Sequence, residues 1–313
     1  MQKDIKTQKS YTLTAFTMAE ILISLTIIGI IAAITLPSLR ANINEKTWAT
    51  QRKALYSRMS QAISMMPSLN GYTGTVESQA FLANGLSKVL EIKNICSFSS
   101  GTSSEDARKE FAKCGLPDKI VALNNSKIDF PTKMSELNPL STNAISNYLA
   151  SAFETKNGES VAVFYNPLCR SSEMSVSYNR IFPYMCANFV YDLNGRKGPN
   201  KVGKDIGYIT ALYSTDSTVV SPELYRISGS ALEYTFNSAK NACRTLDKDL
   251  RLPTKEELFA IFYNNTLLKN NTSLDMWYNQ PVSSEGSWIV AYNYGWHVFV
   301  TTKNNKKVYC VKR

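Results

Sequence analysis

Apolar residues run almost unbroken from Ile21 to Leu36, with isoleucine dominant and no charged side chain, and Pro37 follows. Spanning a bilayer takes about 20 such residues in a helix, and the stretch from Phe16 to Pro37 meets that length. Beyond it the pattern turns periodic. Trp48, Leu55, Met59, Ala62, Ile63 and Met66 recur at three- and four-residue steps, with Arg52, Lys53 and Arg58 between them. The helix is therefore predicted to continue with one buried face and to stop before Pro67 and Asn70-Gly71. From Phe16 to Met66 it would be about 75 Å long.

Residues 76–92 predict a second amphipathic helix, with Leu82, Leu86, Val89 and Leu90 on one side. A Ser/Gly-rich loop at 97–104 leads to a short charged helix ending at Cys114-Gly115, and 117–150 carry weak signals. From Phe153 the apolar period shortens to two. Asn157-Gly158 separates two such runs and predicts a hairpin through Tyr165. Strands at Met185–Tyr191 and Ile206–Tyr213 flank a polar loop, Asp192–Asp205. In the last segment Thr254 stands three residues before Glu257, a capping box that opens a helix. Aromatic strands follow at Trp288–Tyr292, Trp296–Val300 and Val308–Arg313. The order predicts an α+β fold: a long N-terminal helix, an antiparallel sheet, and a C-terminal α+β segment.

Composition changes this picture little. Hydrophobic residues make up 44% and charged residues 19% of the 313 positions, which excludes global disorder. The excess of 35 Lys and Arg over 25 Asp and Glu gives a net charge of +10, but no dense basic run is present, so nucleic acid is not the expected partner. One histidine, His297, lies in a strand pattern without a base–nucleophile constellation near it, so no enzyme is expected.

The six cysteines are Cys96, Cys114, Cys169, Cys186, Cys243 and Cys310. All follow the apolar stretch and none forms a C-x-x-C pair, so disulfides in an oxidising compartment are the better reading than zinc, with reduced buried thiols as the alternative. Six cysteines allow fifteen connectivities. Nearness in sequence favours Cys96–Cys114, Cys169–Cys186 and Cys243–Cys310.

Candidate chemistry sits at two places. Glu20 opens the apolar run, and a carboxylate at the start of a membrane-length helix is costly and a functional suspect. Lys3, Lys6 and Lys9 precede it, as in a segment that holds its N-terminus in the cytoplasm. No small-residue cleavage site follows the run. The second place is the loop, where Asp192, Asn194, Asn200 and Asp205 concentrate oxygen atoms among glycines. Calcium takes six to eight oxygen ligands; Arg196, Lys197, Lys201 and Lys204 oppose it, and a plain Asn/Gly turn is the alternative. No other cofactor is expected.

The string Ala15-Phe16-Thr-Met-Ala-Glu20-Ile-Leu-Ile-Ser-Leu resembles the N-terminal signature of type IV pilins and type II secretion pseudopilins. The resemblance implies cleavage between Ala15 and Phe16 by a prepilin peptidase, N-methylation of Phe16, and assembly through Glu20, which neutralises the Phe16 amine of a neighbouring subunit. Ala15 stands where the family usually has Gly. Some pseudopilins hold calcium near the end of their sheet, which adds support for Asp192, Asn194 and Asp205 as ligands. The string Arg251-Leu-Pro-Thr-Lys-Glu-Glu257-Leu, with the tryptophan-bearing strand and the terminal Cys310-Val-Lys-Arg313, resembles a bacterial domain related to C-type lectins.

Together these divide the chain into a leader at 1–15, a transmembrane or filament-core helix at 16–38, a helix extension and pilin-like head at 39–227, and a lectin-like segment at 228–313. The implied protein is a minor prepilin-like subunit. It enters the bacterial inner membrane with a single span and then joins an extracellular or periplasmic filament of other pilin subunits. A filament-tip adhesin binding a surface glycan or protein, and a DNA-uptake pilin, are the alternatives.

Overall fold

The uniform and periodic stretches form one helix, α1, Met18–Met65. The computed structural model describes residues 17–66, 78–98, 101–137, 149–166, 184–213, 219–220, 224–226, 236–268, 275–281, 286–291, 296–301 and 308–312. They fall into two units that divide between Ala49 and Thr50. In the first, Met18–Thr35 is long and apolar enough to cross a membrane, and none of it is buried. In the second, Leu55, Met59, Ala62, Ile63 and Met66 are buried, the periodic stripe predicted from their spacing. Each such side chain contributes about 1.5–3 kcal/mol, alanine less. Arg58 fastens this part of α1 through an ion pair with Glu159, Nη2 to Oε1 2.5 Å, and Thr155 Oγ1 donates to the other Glu159 oxygen.

Next come α2 (Ser78–Asn84), β1 (Ile92–Cys96), α3 (Ser104–Lys113), β2 (Lys119–Val121), β3 (Lys127–Asp129), α4 (Met134–Leu137), β4 (Ser151–Thr155), β5 (Ser160–Tyr165), β6 (Tyr184–Asp192) and β7 (Ile206–Tyr213). Then follow β8 (Val219–Val220), β9 (Leu224–Arg226), α5 (Phe236–Leu246), β10 (Leu250–Arg251), α6 (Lys255–Tyr263), α7 (Asn265–Leu268), β11 (Asp275–Pro281), β12 (Gly286–Ala291), β13 (Trp296–Thr301) and β14 (Tyr309–Lys312). The chain is thus mixed helix and antiparallel sheet. The helix expected over 76–92 is a correction: α2 stops at Asn84, Gly85 follows, and a 3-10 turn carries Leu86 into the core before β1 begins. Glycine is a poor helix interior residue, and Gly85 stands just past the helix end, its N–H donating to Phe81 O at 3.1 Å.

The main sheet has the order β1-β4-β5-β6-β7-β8. Asn157-Gly158 turns β4 into β5 as predicted, with Gly158 at φ +88° and its N–H donating to Thr155 O. Strand β5 is buried on both faces. Ala162 and Phe164 face a core that includes Phe111, Ile120, Phe130 and Val190. The alternate residues Val161 and Val163 pair in register with Tyr191 and Phe189, and on that face Phe81 of α2 stacks on Tyr165 at 4.1 Å.

The segment after 228 shares this core. Leu258, Phe259 and Ile261 of α6, Leu267 and Leu268 of α7, and Val311 of β14 belong to the same cluster. A buried polar knot adds to it. Asn264 Nδ2 donates to Asn188 Oδ1 at 3.1 Å, to Thr210 Oγ1 at 3.2 Å and to Ala260 O at 2.8 Å, while Asn188 Nδ2 donates back to Asn264 Oδ1 at 2.7 Å. Strand β14 lies between β10 and β9, and β11-β12-β13 form a separate meander.

Two disulfides follow the pairing that sequence proximity favours. Cys96–Cys114 ties β1 to the end of α3, and Cys243–Cys310 ties α5 to β14, with Cα separations of 5.9 and 5.6 Å. Chain-entropy arguments give each about 3–4 kcal/mol. Cys186 is also disulfide-bonded, and Cys169 lies outside the described residues.

Candidate functional site

At the start of α1 the first turn is closed by a reciprocal pair. Thr17 donates to Glu20 Oε2 from its backbone N–H at 2.8 Å and from Oγ1 at 2.9 Å, and Glu20 N–H donates to Thr17 Oγ1 at 3.2 Å. This is a capping box, and its signal is the T-x-x-E spacing of Thr17 and Glu20. It holds the Glu20 carboxylate at the helix N-terminus and engages one of its two oxygens. Downstream, Ile23, Ile28 and Ile34 are 61%, 61% and 72% exposed. Ala15 and Phe16 lie outside the described residues.

The Asp192–Asp205 loop leaves β6 and returns into β7. Leu193 N–H donates to Asp205 O at 3.0 Å and closes its base. The chain reverses through left-handed residues, Gly195 at φ +62° and Gly203 at φ +84° among them. At Gly195 a side chain would also press on Gly115 O, 3.3 Å from an added Cβ. Asp205 is fully buried and accepts from Asn200 N–H and Lys201 N–H, both at 2.8 Å. Asp192 is fully buried as well; its Oδ1 accepts from Asn194 N–H at 3.0 Å. Among the described residues its Oδ2 has no hydrogen-bond partner, and neither have the buried Oδ1 atoms of Asn194 and Asn200.

Burial pushes the Asp192 carboxyl up to about 8; the Asn194 amide opposes this, the Asp205 charge adds to it, and the Gly195 amide opposes it. Buried oxygens without donors are costly, and oxygen atoms of this kind are the ligands a hard cation takes. Two of the four basic side chains in the loop are turned elsewhere. Arg196 donates to Ala112 O, and Lys201 Nζ to Asn125 Oδ1 at 2.5 Å. No three His, Cys, Asp or Glu side chains cluster among the described residues, so the donor set here is two carboxylates and two side-chain amides. Those residues fit calcium better than a softer metal.

Three elements brace the loop: α1 and α3, which the residue pattern predicts, and hairpin β2–β3, which it does not. Hairpin β2–β3 meets it where Val121 N–H donates to Asn200 O at 2.8 Å and Val202 N–H to Val121 O at 2.9 Å. The end of α3 receives Arg196. From α1, Arg52 Nη1 donates to Lys204 O at 2.7 Å and Gly203 O at 3.3 Å.

In the C-terminal segment the R-L-P-T-x-x-E-L string is accounted for locally. Thr254 and Glu257 form the predicted capping box, and Arg251 grips Glu257 with a bidentate pair at 2.7 and 2.8 Å. His297 pairs through its backbone with Val290 in the meander. A scan against known protein families finds no matching family model, and a search of curated proteins finds no match.

Proposed function

We propose that the chain is a prepilin-like structural subunit, cut between Ala15 and Phe16, methylated at Phe16, and assembled with other subunits into a type IV pilus or type II secretion pseudopilus. The observation that carries this reading is the character of α1. Its first half is an uncovered isoleucine surface with one carboxylate at its head, and its second half is buried on one face. An apolar surface of that extent needs a bilayer or other subunits to cover it. At 18 residues the uncovered span is about 27 Å long, close to the hydrocarbon thickness of about 30 Å.

A single inner-membrane span followed by transfer to a filament satisfies both coverings in turn. In the filament core, Glu20 of one subunit and the Phe16 amine of the next neutralise each other, which removes two unpaired charges from an apolar setting. The Thr17 box keeps Glu20 in place for that pairing. Mass spectrometry of the mature N-terminus tests the reading: a methylated Phe16 is expected, and an intact Met1 in assembled material overturns it.

A second reading concerns the loop alone. Its partnerless buried oxygens favour calcium held by Asp192, Asn194, Asn200 and Asp205. Bound there, the ion supplies positive charge between two carboxylates and thereby holds the β6–β7 connection in one conformation. Isothermal titration with calcium is expected to give saturable heat, and an absence of heat sinks this reading.

A further inference from the structure

We propose that the Asp192–Asp205 loop is a cation-operated latch for the head-side part of α1: a divalent cation held by the loop oxygens fixes the Gly203 and Lys204 carbonyls on which Arg52 docks. This rests on the cation reading of the loop.

The turn that carries Asp205 has two sides. Inward, the amides of Asn200 and Lys201 converge on the Asp205 carboxylate. The turn is closed by Lys204 N–H to Lys201 O at 3.0 Å, Gly203 N–H to Ile206 O at 2.9 Å and Ile206 N–H to Lys201 O at 3.1 Å. Outward, the carbonyls of Gly203 and Lys204 receive the Arg52 guanidinium. These carbonyls belong to the two residues just before Asp205, so whatever sets the position of that carboxylate also sets the acceptors for Arg52. A second buried carboxylate, Asp192, lies at the opposite end of the loop, and with both ionised the two repel across its base. A cation between them converts that repulsion into a brace.

Further along α1 the fastening is of another kind. Arg58 is held by Glu159, a residue of the β4–β5 turn without contact to the loop oxygens in any described hydrogen bond. Arg52 and Arg58 are six residues apart, about 9 Å along the helix. The latch therefore acts on residues 50–56 and leaves 59–66 alone. Coupling is reciprocal: Arg52 must raise the cation affinity by the same factor by which the cation tightens Arg52.

The test uses the full chain in detergent micelles with calcium chloride as the probe. Calcium binding is measured by isothermal titration, and hydrogen–deuterium exchange of α1 is read by mass spectrometry with calcium and with chelator. Calcium is expected to slow exchange in 50–56 about tenfold and to leave 59–66 unchanged. Arg52→Gln should abolish that protection and weaken calcium binding about tenfold, within the usual range of coupling between sites; Arg52→Lys, which keeps the charge without the planar fork, should fall between.

Absence of calcium heat in the unaltered chain removes the cation reading itself. Calcium heat with no change in exchange at 50–56 overturns the latch while leaving that reading standing. Equal protection of 50–56 and 59–66 overturns it too, since that is general stabilisation, and so does unaltered calcium affinity in Arg52→Gln.

Discussion

Replacing Asn264 with alanine tests whether the C-terminal segment is held to the sheet by a specific polar knot. Asn188, Thr210 and Asn264 are all fully buried. The Asn264 amide serves Asn188, Thr210 and the Ala260 carbonyl, and receives Asn188 Nδ2 in return. Truncation strands the Asn188 amide donor in a site closed to water. Each stranded buried group costs about 1–3 kcal/mol, and the small cavity adds to that, so a loss of about 3–4 kcal/mol is expected. That is a large part of the roughly 5–15 kcal/mol that holds a typical domain together.

Urea unfolding of the full chain in micelles, followed by tryptophan fluorescence, measures the shift in midpoint at constant slope. The diagnostic step is a cycle with Asn188→Ala. If the knot acts as a unit, Asn264→Ala costs at least about 1.5 kcal/mol less in that background, because neighbours in one network are not additive. A loss below about 1 kcal/mol, or full additivity, refutes the reasoning and leaves apolar packing alone as the join.

Glu20→Ala should leave membrane insertion intact, since it removes a charge from the apolar stretch, while filament incorporation falls sharply; fractionation with immunoblotting separates the two, and normal incorporation refutes the pairing. For the loop, the Asp192 carboxyl sits near 8 in the folded chain against 3.8 for an unperturbed carboxyl. The folded state therefore holds an extra proton between those values. In chelator, stability from this group is full below about pH 4 and is lost as pH rises through about 8. Asp192→Asn should flatten that slope relative to the unaltered chain, and saturating calcium should do the same to the unaltered chain; parallel pH profiles in all three count against the assignment.

What could be read in advance was local. The stripe at Leu55, Met59 and Ile63, the Asn157-Gly158 turn and the Thr254–Glu257 box each depend on residues within a few positions of one another. Strand β1 was missed because only Cys96 of its five residues is buried; its identity comes from pairing with β4, some sixty positions on. Strands β2 and β3 are three residues each, too short for a period to show. The oxygens of the loop were visible as composition, whereas Arg52 meets Lys204 across 152 positions, and no spacing rule reaches that far.

The place of Val311 has a consequence for what the Cys243–Cys310 bond protects. It is buried in the same core as Phe111 and Phe130, and the strand that carries it pairs with β9 and β10 on either side. Strand β14 is the shared partner of β9 and β10, and through Val311 it adds to the cluster that holds Leu258, Phe259 and Leu268. Cys310, one position before Val311, is bonded to Cys243, so this disulfide fastens β14 to α5 beside the residue that reaches the core. Reducing that one bond would therefore loosen the strand on which β9, β10 and the core all draw.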